Sequence, residues 1–389
     1  MTYDFDRVID RVGTNCLKYE FAVERGKPAG VLPLWVADMD FPAPPAVLDA
    51  IHRMADHGIF GYSEVKGAYY RAVASWFERR YGWCPEEDWL VKTPGVVFAL
   101  AMGVRALSGP GDGVLLTPPI YYPFYQVVRD NGRRVVESGL IYRNGRYSID
   151  FEDFERKIVE NEVRLFLMCS PHNPIGRVWT REELAEIGRI CKRHGVYVVS
   201  DEVHCDFAFP EHPHTPFLQA APEMRELTVL CTAPSKTFNL AGLQVSNNWI
   251  PSADVRERFR REIDACGYSQ HNAAGLVACQ AAYEGGEEWF EQCRAYLRGN
   301  LDFFRQYLEK NLPQLKLVEP DGTYFAWVDC SALGLSQPEL DDLILKKAGL
   351  WLDAGHIFGK CGEQFQRFVL ACPRATLAEA LDRLKSAIG

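Results

Sequence analysis

The chain has no C-x-x-C pair, no apolar run of membrane length, no excess of positive charge and no internal repeat, and each absence removes a class of protein. Its 12 cysteines are scattered from Cys16 to Cys372, so neither a zinc ribbon nor a disulfide framework is indicated, and they read as reduced, mostly core residues. No uninterrupted apolar run approaches the roughly 20 residues that span a bilayer. The opening MTYDFDRVID lacks the basic and apolar regions of a signal peptide, so a soluble, cytoplasmic protein is expected. A formal net charge of −9 and a pI near 5.6 argue against a nucleic-acid or anionic-membrane surface, which needs clustered cations. Small molecules are the expected partners.

What is present is an ordinary globular composition. The 389 residues, 47% of them hydrophobic, can bury a large core and form two domains. Pro and Gly are spread through short loops, so the domains would be closely joined. After TPG, the run VVFALAMGVRAL (96–107) reads as a helix, and SGPGDG then turns the chain into the short strand VLLT. That glycine-rich turn lacks the spacing of a dinucleotide fingerprint, and no nicotinamide site is expected.

Further strands are predicted at LFLMCS (165–170), VYVVSDE (196–202), LTVLCT (227–232) and VSNNWI (245–250), with a helix over 181–195. Short β-rich runs alternating with helices predict an α/β architecture: a largely parallel sheet covered on both faces, with ligands at the carboxyl ends of its strands. The amphipathic stretch 287–312 reads as a connecting helix into a smaller α+β unit, which ends with the strand-like FQRFVLACP and the helical TLAEALDRLKSAI.

Three residues stand at or just past the ends of three of these strands. Asn173 lies in PHNPIG, Asp201 in DEVHCD and Lys236 in APSKTF. Taken singly, Asp201 could be a helix or turn cap and Lys236 a surface lysine. Lys236, however, has no acid or second base beside it in sequence, and desolvation would lower its pKa toward a neutral amine able to form a Schiff base. Projecting from strand ends, the three side chains can converge on one crevice. Pyridoxal phosphate has a use for each: a lysine for its aldehyde, a carboxylate for its ring nitrogen and a donor for its phenolate oxygen.

PHNPIG, SDEVH and SKTFNLAG in this order, with TPGVV upstream and RFVLACPR near the end, resemble the fold-type I pyridoxal-phosphate enzymes of the aspartate aminotransferase superfamily. PLWVADMDFPAPP, GYSEVKG and ACPR are similar to its cystathionine β-lyase or cysteine-S-conjugate β-lyase branch. The resemblance covers essentially the whole chain. It implies a seven-stranded, mainly parallel large domain over 46–286 and a small domain over 287–389 with its connecting helix, joined by the N-terminal segment 1–45.

The resemblance also implies roles, residue by residue. Lys236 would bind the cofactor aldehyde, Asp201 the ring nitrogen and Asn173 the phenolate oxygen, with Tyr121, in preference to Tyr122, stacked on the ring. The phosphate would meet the amides of Gly95, Val96 and Val97 at a helix N-terminus, with Ser235 adding a hydroxyl. Tyr62 would reach the phosphate from the neighbouring subunit of a homodimer. Arg367, rather than Arg374, would hold the substrate carboxylate, helped by main-chain amides around Val36 and Ala37.

Four positions depart from common patterns of the superfamily. His204 stands where many aminotransferases have a tyrosine, which favours the lyase branch and makes His204 a candidate cofactor neighbour. Gln244 replaces a phosphate-binding arginine, Ala233 a frequent serine and Val369 the lyase-type asparagine. His204, Cys205, His212 and His214 fit no common zinc spacing, and no metal is expected. The expected reaction is β-elimination from an L-cysteine thioether, with an aminotransferase as the alternative.

Overall fold

The computed structural model describes residues 2–389. In chain order the strands are β1 (Leu32–Pro33), β2 (Leu90–Thr93), β3 (Gly113–Leu116), β4 (Arg134–Glu137), the hairpin β5 (Ile141–Arg143) and β6 (Arg146–Ser148), β7 (Val163–Cys169), β8 (Tyr197–Asp201), β9 (Thr228–Thr232) and β10 (Ser246–Trp249). Five more follow: β11 (Lys316–Val318), β12 (Phe325–Asp329), β13 (Leu350–Trp351), β14 (Asp353–Ala354) and β15 (Phe365–Val369).

A seven-stranded sheet in the order β2-β10-β9-β8-β7-β3-β4 forms the larger layer. Its β9, β8, β7, β3 and β4 are mutually parallel, and β10 runs antiparallel to both β9 and β2. The inner parallel strands β3, β7, β8 and β9 are largely buried without alternation because helices cover both faces. On β7, Leu165, Leu167 and Cys169 pack into one core while Phe166 and Met168 pack into the core on the opposite face. The helix Val96–Leu107 lies so close to β8 that a Cβ on Gly103 would stand 2.7 Å from Val199 Cγ2. Glycine is therefore required there. The helix Arg181–His194 begins on a Thr180/Glu183 capping box and ends at Gly195 in the left-handed region.

A four-stranded sheet, β11-β12-β15-β14, is built from the last third of the chain and packs on the long helix Glu287–Asn311 and the terminal helix Arg374–Ile388. The N-terminal segment joins it: β1 pairs in parallel with β13, Leu34 N donates to Trp351 O, and Val369 N donates to Leu34 O. Residues 35–41 then run along the boundary between the two sheets. Met39 N donates to Asn239 Oδ1, and Asn239 Nδ2 donates to Met39 O and Phe41 O. Among the described residues no helix is long and apolar enough to cross a membrane.

Because β7, β8 and β9 are parallel, the residues after each emerge at one edge of the large sheet. The predicted strand and helix bounds shift by a residue or two, as fraying ends do.

Candidate active site

A cavity of about 430 Å³ opens at that edge and is closed from the other side by the small sheet and by residues 35–37. It gathers Lys236, Asp201, Asn173, Tyr121, Ser235, His204 and Arg367, together with Gly95, Val96, Val97, Val36 and Ala37. Residues more than 300 positions apart thus share one wall.

Lys236 sits in the one-turn helix Pro234–Thr237 just past β9. Its Nζ donates to Ala37 O at 3.1 Å. Burial lowers its pKa to about 8, opposed by the charges of Asp38 and Asp201 and aided by Arg367. A sizeable neutral fraction at physiological pH follows. The turn is held on both sides. Thr237 Oγ1 donates to Asp206 Oδ2 at 2.6 Å, and Asn239, at φ +58°, ties the turn to the N-terminal segment.

Two buried aspartates near this turn differ in kind. Asp206 accepts from Trp76 Nε1, Tyr81 OH and Thr237 Oγ1 and has Arg80 Nε at 3.5 Å. Among the described residues Asp201 accepts only from the Val203 amide, at 3.1 Å. Burial pushes its pKa up to about 7, against the lowering pull of that bond and of Lys236. A buried carboxylate lining a cavity with one neutral donor is suited to a cationic N–H donor that the chain itself does not supply, as a protonated ring nitrogen would be. The site therefore fits the pyridine ring that the resemblance implies.

Arg367 is buried on β15, opposite Asp353 of β14. Its Nη1 donates to Asn173 Oδ1 at 2.8 Å and its Nη2 to Trp35 O at 2.8 Å, and it pairs with the Asp353 carboxylate. The guanidinium carbon lies 4.5 Å from the Phe325 ring centroid and 5.0 Å from that of Phe358, and among the described residues its Nε has no partner. With Oδ1 of Asn173 committed to Arg367, the donor end of that amide is left for a ligand oxygen. Arg374 stands apart, starting the last helix with its Nε on Asn300 Oδ1.

At the opposite end of the cavity, Gly95 (φ +96°) caps the helix Val96–Leu107. Val96 and Val97 form its first turn, where amides have no carbonyl above them. The Gly95 amide, by contrast, already donates to Thr93 O at 2.8 Å. The anion-binding donors expected there thus reduce to Val96 and Val97, with Ser235 and Gln244 beside them. The N-terminal segment presents the Ala37 carbonyl to Lys236 and to Tyr324 OH, while Val36 and Ala37 both line the cavity.

His204 is buried, its ring edge-on to Tyr324 and Phe325, and burial drives its pKa well below the usual range, so it is neutral. Tyr121 and Tyr122 both line the cavity. Burial raises the pKa of both, and both feel the charges of Asp353 and Arg367, with Asp201 acting in addition on Tyr121 and Arg25 on Tyr122. Tyr62 is 91% exposed and lies outside this cavity. His214 pairs with Glu202, and His212 faces Asp321. Asp353, Tyr324 and Asp206 were not anticipated. Each acts through a partner distant in sequence, and no local motif marks them.

The family description "Aminotransferase class I and II" matches residues 29–384. Cystathionine beta-lyase PatB of Bacillus subtilis is 42% identical over 385 residues, covering 99% of this chain and all of that protein. The pyridoxal-phosphate-containing cystalysin of Treponema denticola superposes with a TM-score of 0.96 at 35% identity, over 100% of this chain and 99% of its own. The pyridoxal-phosphate-bound C-S lyase of Staphylococcus hominis does so at 0.94 and 34%, over 100% and 98%. Matched along nearly its whole length, the chain belongs to the class I and II aminotransferase family of fold-type I pyridoxal-phosphate enzymes.

Proposed function

We propose that this protein is a carbon–sulfur β-lyase that cleaves L-cystathionine or related L-cysteine S-conjugates to a thiol, pyruvate and ammonia. The observation that carries the reading is one cavity uniting Lys236, its pKa lowered by burial to about 8, a single-partnered buried Asp201 and a buried Arg367. The similarity to proteins named as cystathionine and C-S lyases favours elimination over transamination.

Lys236, Asp201, Asn173 and Tyr121 would hold the ring of pyridoxal phosphate, and Val96, Val97 and Ser235 its phosphate. When bound, the cofactor supplies an aldehyde for the substrate amine and a sink for the electron pair left at Cα. Arg367 holds the substrate carboxylate and so fixes which Cα bond faces Lys236. Nζ of Lys236, unprotonated in a good fraction of molecules, takes the Cα proton. Asp201, as the carboxylate, keeps the ring nitrogen protonated. The Cβ–S bond then breaks with its electron pair on sulfur, which leaves as thiolate. The remaining three-carbon enamine is released and hydrolyses to pyruvate and ammonia. Neutral His204 packs behind this group as an uncharged wall.

A homodimer belongs to the same reading. Ile59, Phe60 and Tyr62 form an exposed apolar run on one segment, at 71, 70 and 91%, and a partner that covers it would receive Tyr62 near its phosphate site. All 12 cysteines are free thiols, which suits a reducing, cytoplasmic setting.

The discriminating assay is product formation from cystathionine without added keto acid. Homocysteine and pyruvate in equal amounts are expected. Strict dependence on a keto acid, with amino-group transfer to it, would instead make the protein an aminotransferase.

A further inference from the structure

A second cavity, of about 380 Å³, adjoins the first and shares Trp35, Tyr122 and Asp353 with it. It lies around the edge strand β14. Ile344, Leu350, Leu352 and Ile357 give it an apolar floor. Trp351 forms a side, stacked on Trp35 with ring centroids 4.2 Å apart and planes within 13°.

Its lining carries the cations Arg25 and Lys27 and the carboxylates of Asp341 and Asp353. Arg25, whose guanidinium lies over the Trp35 ring at 5.5 Å, and Lys27 both line it. Among the described residues neither cation has an ion-pair partner. Lys27 acts instead as a distant charge on Asp353, whose carboxylate is committed to Arg367. Asp341 and His356 face each other at 3.9 Å. Trp35 Nε1 and Gln366 Nε2 have no acceptor among the described residues, but both atoms are fully buried within the walls and are not part of the open rim. Two cations without ion-pair partners beside an apolar floor make a rim suited to an anionic group at the end of an apolar chain.

We propose that this second cavity receives the sulfur substituent of the substrate and selects cysteine thioethers whose far end carries a carboxylate. The inference rests on the lyase reading above. With the α-carboxylate on Arg367, the substituent leaves past Trp35 and Tyr122, its methylene groups lie along the indole wall, and its terminal carboxylate meets Arg25 and Lys27. The two carboxylates of one substrate are thus held in two cavities that share a wall.

The test compares S-carboxyethyl-L-cysteine with its uncharged isostere S-carbamoylethyl-L-cysteine on the holoenzyme. The ratio of their kcat/KM values should favour the carboxylate about tenfold, the scale of charge-assisted contacts at a partly exposed rim. It should fall toward one in the double variant Arg25→Gln, Lys27→Gln and invert in Lys27→Glu. A ratio near one in the parent, or one unchanged in the double variant, overturns the proposal.

Calorimetry with thiodipropionate and its monoamide, which have no amine and cannot react, gives a readout free of turnover. The diacid should bind about tenfold more tightly, and the double variant should lose that difference. If neither conjugate yields pyruvate while the calorimetric preference holds, the lyase reading fails and the subsite stands. If both conjugates yield pyruvate equally and both ligands bind equally, the subsite fails and the lyase stands.

Discussion

Asp201 should destabilise the cofactor-free protein and stabilise the loaded one, and the change Asp201→Asn separates the two effects. Burial raises the carboxyl from 3.8 to about 7, roughly three units, which amounts to about 4 kcal/mol at about 1.4 kcal/mol per unit. Between those two values the native state keeps a proton that the unfolded chain has lost. Stability therefore falls as pH rises through the window, and the whole penalty is present above about pH 7. Asparagine can still accept the Val203 amide but cannot ionise.

Without cofactor, the variant should match the parent near pH 4 and exceed it by up to about 4 kcal/mol at pH 8. Urea unfolding at fixed protein concentration across that range measures the difference. Saturating pyridoxal phosphate should reverse the order at about pH 8, because only the carboxylate can pair with a protonated ring nitrogen. A stability difference that does not change with pH would refute the claim that Asp201 is held uncomfortably in wait for a cation.

Three further outcomes are expected. Arg367→Lys keeps the charge but loses the fork that reaches Asn173, Trp35 and Asp353 together, so KM should rise by about tenfold to a hundredfold with a smaller fall in kcat; steady-state kinetics with an unchanged KM would contradict it. Asp206→Asn weakens an acceptor shared by Trp76, Tyr81 and Thr237 and should cost about 2–4 kcal/mol in urea unfolding, with weaker cofactor retention as the Lys236 turn loosens; retention equal to the parent's would remove the positioning role. Lys236→Ala and Tyr62→Ala should each be inactive as homodimers, yet refolding them together should restore up to about a quarter of parent activity, since half the dimers are mixed and each mixed dimer has one intact site; no recovery would mean Tyr62 does not act across the interface.

Much of this was legible in the chain because one regularity carries it. Parallel strands end at a common edge, so Asn173, Asp201 and Lys236, each just past a buried apolar run, had to meet there once β7, β8 and β9 paired. The strand VSNNWI was equally visible, but its antiparallel direction was not, since direction depends on how the chain returns and not on its side-chain pattern. Arg367 was reached through resemblance alone. It lies on the second sheet, and nothing in its neighbourhood of sequence points at Asn173 194 positions away.

By itself, then, the sequence determined the α/β class, the apolar strands and the chemical identity of the residues at their ends, because these follow from periodicity and side-chain type. Only the tertiary structure decided what those residues can do. Enclosure brings Lys236 to about 8 and Asp201 to about 7, and hydrogen bonding assigns the Gly95 amide to nearby Thr93, the Ala37 carbonyl to Lys236 and the Asp353 carboxylate to Arg367 on the neighbouring strand. The physical reason is that burial and electrostatic partnership depend on which surfaces meet, and in this protein the decisive surfaces come from opposite ends of the chain.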